Sequence, residues 1–247
     1  MIAKAIIIFV LIAASSFAAD IEIWNQANSN YDQGRYTEAI DGYRTFLERG
    51  YRFPEVYFNL GNAYFKDNKI GPAIASFRHS LKLAPSFTPA KENLDYARTF
   101  TVDRVEPKPR GFLLDLWYGL VDLISPSGYF ILSIILYWIL CAIGVFLING
   151  YGRRELTVYI LIFTSIAFIT SVTITRFAVN HERNTRWGVV VAQSVDLREG
   201  PGDEFGKIFT GHEGLEIKII SARQKYILIE LENGLKGWIP GESLTEI

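Results

Sequence analysis

The chain has 247 residues and a formal net charge of −1, with 25 Lys and Arg against 26 Asp and Glu. Without a basic excess there is nothing to hold a phosphate backbone, so no nucleic acid is expected as a partner. A mean hydropathy of +0.16 is high for a sequence with 21% charged residues, and it implies a soluble part joined to a membrane part. The single cysteine, Cys141, lies in an apolar run, which excludes an internal disulfide, a cysteine-based zinc site and an N-terminal lipoprotein anchor. The chain opens on an export signal at residues 1–18: Lys4 is the positive start, Ala5 to Ala13 the apolar centre, and Ser16-Phe17-Ala18 the small-residue cleavage motif. Left uncleaved, the same segment is an extra anchor. In both cases the chain after residue 20 is delivered outside the cytoplasm.

Residues 20–100 contain an internal repeat. A shift of 34 residues superposes Asn25 on Asn59, Asn28 on Asn62, Ala39 on Ala73, Ile40 on Ile74, Arg44 on Arg78 and Leu47 on Leu81. Trp24 pairs with Phe58, Ala27 with Gly61, Tyr31 with Phe65 and Tyr43 with Phe77. The small residues Ala27, Gly61, Ala39 and Ala73 fall where two helices of a pair come close, and aromatics surround them. The period and the run Leu60-Gly61-Asn62-Ala63-Tyr64 with Pro85 resemble the tetratricopeptide repeat, a stacked pair of antiparallel helices. The first repeat departs from it, with Gln26 for the usual Leu and Tyr51 for the Pro. A third shift carries Asn59-Leu60 onto Asn93-Leu94 and then stops, so a capping helix is expected from Pro89 to about Thr99.

The resemblance implies a protein-binding groove lined by the first helix of each repeat, with Asn28, Tyr31, Asn62, Phe65 and Lys66 as its candidate residues. Some tetratricopeptide stacks clamp a C-terminal carboxylate, and Asn28 and Asn59 match that clamp's two asparagines. Trp24 stands where its first lysine belongs, so the asparagines are read instead as bonding helix backbone or water.

Residues 101–127 form a linker, extended at Pro107 and Pro109, and an interfacial helix whose apolar face carries Phe112, Leu113, Leu116, Trp117 and Leu120. Two stretches free of charge, 128–149 and 156–175, are each long enough to cross a bilayer. With only a short turn between them they form an antiparallel transmembrane hairpin whose outer ends share one side. Arg153 and Arg154 in the turn are balanced by Arg176, Arg183 and Arg186 beyond it, so the positive-inside count is ambiguous. The export signal decides, putting both flanking regions outside the cytoplasm.

Residues 187–247 change to short alternating runs. Gly188 to Val191, Leu215 to Ile220 and Tyr226 to Leu231 read as strands, and Asn233-Gly234 as a type I′ hairpin turn. The segment resembles the bacterial SH3-like domain. Val195 to Gly202 is similar to its "NVRSGPS" turn and Gly234 to Ile239 to its closing "G-x-x-GWV" strand, with Asp196 for Asn and Tyr226 for Trp as departures. That resemblance implies a small all-β barrel of about five strands binding wall peptides or proteins, with Trp238 favoured as barrel core. The fold class is thus a multidomain membrane protein: an all-α tetratricopeptide solenoid, a transmembrane helical hairpin and a small SH3-like barrel.

Catalysis is not expected, because neither a nucleophile with its base nor a metal-ligand spacing occurs around His79, His181 or His212. No cofactor is expected either. The order signal, tetratricopeptide stack, hairpin, SH3-like domain resembles the BatE aerotolerance-associated family of bacterial inner membranes. The family implies a noncatalytic scaffold with periplasmic interaction domains, working with von Willebrand A-domain proteins and a MoxR-type ATPase. A rival reading has the SH3-like domain bind peptidoglycan while the repeats recruit a hydrolase; a third is a structural adaptor with no stress role.

Overall fold

A computed structural model describes residues 20–106, 108, 109, 111–122, 126–149 and 154–247. The expected signal at 1–18 and turn residues 150–153 lie outside the described residues. The chain divides into two compact units, one made of residues up to 107 together with 186–247, the other of 108–185.

In the first unit, five helices run in sequence: α1 (20–32), α2 (Tyr36–Glu48), α3 (Pro54–Lys66), α4 (Ile70–Leu83) and α5 (Thr88–Arg98). The 34-residue period recurs in the backbone. Arg35 N donates to Asn30 O and Lys69 N to Tyr64 O, both at 2.9 Å, and each closes the turn between the two helices of a pair. Those turns need a left-handed residue, which Gly34 (φ 77°) supplies in the first pair and Asn68 (φ 61°) in the second. Pro54 and Pro89 stand in the first turns of α3 and α5, where a missing N–H costs no helical hydrogen bond.

Close packing explains the small residues. A Cβ on Gly61 would lie 2.6 Å from the ring of Phe77, and one on Gly42 would lie 2.8 Å from Cβ of Ala27. Ala39 and Ala73 are fully buried beside Tyr43 and Phe77, which are the largest buried side chains of the stack.

The strands form one antiparallel sheet: β1 (Arg186–Val190), β2 (Ser194–Arg198), β3 (Lys207–His212), β4 (Glu216–Arg223), β5 (Tyr226–Glu230), β6 (Lys236–Pro240) and β7 (Leu244–Glu246). Its order is β3-β2-β6-β5-β4-β1-β7, so it is an open sheet and not the closed five-stranded barrel expected. Where closure would bring another strand, the β1–β7 edge meets helices instead: Val189 is fully buried in the core of α4 and α5, and His79 Nε2 bonds Glu246 O at 3.1 Å. The β5–β6 hairpin occurs where expected, but its turn is not type I′. Gly234 takes positive φ (86°) while Asn233 does not; its side chain instead accepts from Leu235 N at 2.9 Å. Trp238 alternates with the buried Gly237 and Ile239 and is only half-buried, so it lies on the face opposite the sheet's core.

The second unit holds α6 (Phe112–Asp122), α7 (Pro126–Ile148) and α8 (Arg154–Asn184). Gly128–Ile148 and Glu155–Phe177 are long and apolar enough to cross a membrane. The two helices pack antiparallel along Thr157, Thr164 and Ser171 of α8, seven residues apart and all buried. Ser171 Oγ donates to Tyr129 O at 2.9 Å and lies 2.9 Å from Ser133 Oγ. Such hydroxyls join helices where no water competes. Phe112, Leu113 and Leu116 on α6 are exposed, and Trp117 meets Phe177 edge-on at 6.1 Å.

Candidate binding groove on the helical stack

Consecutive first helices are bridged by asparagine pairs. Asn59 Nδ2 donates to Asn28 Oδ1 at 3.3 Å, and one period later Asn93 Nδ2 donates to Asn62 Oδ1 at 2.7 Å. Asn28 Oδ1 also accepts from Tyr43 OH at 2.7 Å, which joins α2 to the bridge. Asn28 and Asn59, and one period later Asn62 and Asn93, therefore bond one another across repeats. Around the first bridge opens a pocket of about 340 Å³, lined by Asn28, Tyr31, Asp32, Tyr43, Asn59 and Asn62.

Of the five candidate residues, Asn28, Tyr31 and Asn62 meet at this pocket. Tyr31 is half-buried and edge-on to Tyr36 at 5.5 Å. Phe65 lies elsewhere, half-buried between Tyr96 and Phe100 at 5.5 and 5.3 Å, in an aromatic group joining α3 to α5. Lys66, the last residue of α3, is exposed. Trp24, at the position of the clamp's lysine, packs on Tyr43 and Phe46. Sequence reasoning missed Asp32 and Tyr43 as pocket walls; the helical spacing Asn28, Tyr31, Asp32 is the signal that puts Asp32 there.

Asp32 is the one acidic residue among those lining the pocket. Burial, then the neighbouring Tyr36 and Asp32, push the Tyr31 phenol above its ordinary value. Tyr43 is pushed up further by burial, Tyr31 and Asp32, against a smaller lowering by Asn59. No lysine or arginine lines the pocket, so a carboxylate entering it would meet Asp32 and no opposite charge.

The sheet closes the far end of the stack. Glu216 at the start of β4 accepts from Arg78 Nε of α4 at 2.6 Å and from Arg98 Nε of α5 at 2.7 Å. Glu213 Oε1 accepts from Gly71 N at 2.9 Å, satisfying a free donor in the first turn of α4. Gly71 has to be glycine, since a Cβ there would sit 2.4 Å from Val190 O. Asp103 accepts from His212 N at 2.5 Å and lies 2.9 Å from its Nδ1. Two of the three histidines, His79 and His212, thus serve this junction.

The tetratricopeptide repeat family matches residues 54–87, which hold α3, α4 and the turn after them. No curated protein matches the chain. Among solved structures, the first tetratricopeptide domain of Spaghetti (RPAP3) bound to the HSP90 peptide SRMEEVD is 28% identical, with a TM-score of 0.31. That similarity covers 32% of this chain and spans 64% of the length of the other. The chain carries a tetratricopeptide repeat, a helical pair of the kind that serves protein–protein interaction.

Proposed function

We propose that the chain is a noncatalytic membrane-held adaptor that binds protein partners along the first helices of its tetratricopeptide stack. The observation that carries this reading is the repeat at 54–87, whose first helix contributes Asn59 and Asn62 to a solvent-open pocket. Two apolar helices between residues 126 and 184 support membrane attachment. The helices before them and the sheet after them form one compact unit, which supports both lying on one side of the membrane. With the export signal read at 1–18, that side is the periplasm of a bacterial inner membrane.

In this reading the strands of 187–247 descend from an SH3-like domain that has given up closure to cap the stack. The chain acts as a BatE-like component of an aerotolerance or envelope-stress complex, with von Willebrand A-domain proteins and a MoxR-type ATPase system as partners. Engagement of the β1–β7 edge by α4 favours an adaptor over a free wall-binding module.

The test is affinity capture of the full chain from native membranes after mild crosslinking and detergent solubilisation. Von Willebrand A-domain proteins are expected in the wild-type capture, depleted several-fold with Lys66→Glu at unchanged melting temperature. Undiminished capture by Lys66→Glu contradicts the groove. A wall hydrolase as the retained partner contradicts the BatE-like assignment and supports the peptidoglycan rival.

A further inference from the structure

We infer that the pocket between the first and second repeats receives an arginine or lysine side chain of an extended partner peptide. This rests on the peptide-binding reading of the stack and adds the chemistry of the ligand. The volume, about 340 Å³, suits one long side chain. Of the six lining residues, only Asp32 carries a charge at neutral pH.

Asp32 is exposed to solvent at the rim of the pocket. It ends α1, where the helix's negative pole disfavours an acid, and it forms no ion pair among the described residues. Asp32 lines the pocket together with Tyr31 and Tyr43, and its charge helps to raise both phenols.

The remaining walls suit a cation. Asn28 Oδ1 holds both Tyr43 OH and Asn59 Nδ2, which turns the Asn59 carbonyl oxygen away from Asn28 as an acceptor. A guanidinium entering here pairs with Asp32, donates to amide oxygens and lies against the half-buried Tyr31 ring. A glutamate or a C-terminal carboxylate would instead face Asp32 with no basic group on the pocket wall.

The full chain in detergent is titrated with short extended peptides blocked at both ends and differing only at one central residue: Arg, Lys, Gln or Glu. A further peptide carries a free C-terminal carboxylate. Arg and Lys peptides are expected to bind about tenfold or more tightly than Gln or Glu. Asp32→Asn should erase that preference and Asp32→Lys reverse it toward Glu, with melting temperatures at or above wild type. Equal binding of Gln, a preference that survives Asp32→Asn, or a requirement for the free carboxylate overturns the inference and leaves the groove standing. Binding of none of these peptides overturns the inference as well. In that case continued partner capture sensitive to Lys66→Glu preserves the groove, and its loss removes both.

Discussion

Glu216 is held between two guanidinium groups from different helices, and its ionisation tracks the junction of stack and sheet. Burial alone would raise its pKa, but the Arg98 hydrogen bond and the charges of Arg78 and Arg98 outweigh burial and bring it below its ordinary 4.5. A carboxylate lowered in the fold contributes stability that is complete above about 4.5 and is lost as pH falls through the folded value. His79 acts in the same direction. Burial, against the Glu246 carbonyl bond, lowers it from 6.5, so the folded state holds it neutral and loses stability as pH drops below that value. Acidification from neutral pH is therefore expected to loosen the junction in two stages, read as falling amide-exchange protection in β1 and β7. Glu216→Gln should lower stability at pH 7 by about 1–3 kcal/mol, less than for a fully buried pair because both arginines are partly exposed. It should also flatten the acid stage of the melting profile. An acid stage identical in Glu216→Gln and wild type would remove Glu216 from this role.

At the scale of elements, the helical pairs were legible in sequence because each repeats the same solution 34 residues on, down to the turn bonds at Arg35 and Lys69. Gly61 was legible as a close approach, although the side chain it makes room for is Phe77. Gly61→Leu forces a branched side chain into a space where a Cβ already lies 2.6 Å from a ring carbon, and such overpacking costs about 1–3 kcal/mol or more. The melting temperature of the full chain in detergent should fall by several degrees; no change would contradict the packing of α3 on α4. The β5–β6 turn was misread because Asn-Gly also suits a turn in which glycine alone is left-handed. Barrel closure was misread for a different reason. The partner of the β1–β7 edge is α4, more than 100 residues earlier, and no local pattern in either segment announces that contact. Gly71 was its one sequence trace, a glycine in a helix start with no turn to require it.

At the scale of the whole molecule, segments on either side of the apolar helices build one unit, a condition an even number of crossings between them meets. If the chain has the orientation proposed above, then in a Cys141→Ser background Ser29→Cys and Ser221→Cys are expected to react with an impermeant thiol reagent added outside the cytoplasm, and Gly152→Cys to be shielded. Labelling at Gly152 with protection at Ser221 reverses the hairpin. Phe65 and the Tyr31 ring carry packing as well as surface, so removing them tests fold and binding together. Lys66, exposed and outside those contacts, separates the two. The most direct measurement is photo-crosslinking in living cells from an aromatic photoprobe at Lys66, with a second probe at the exposed Arg44 of α2 as reference. The account predicts a discrete protein adduct from position 66 and little or none from position 44. An adduct from position 44 with none from position 66 would contradict a binding groove on the first helices.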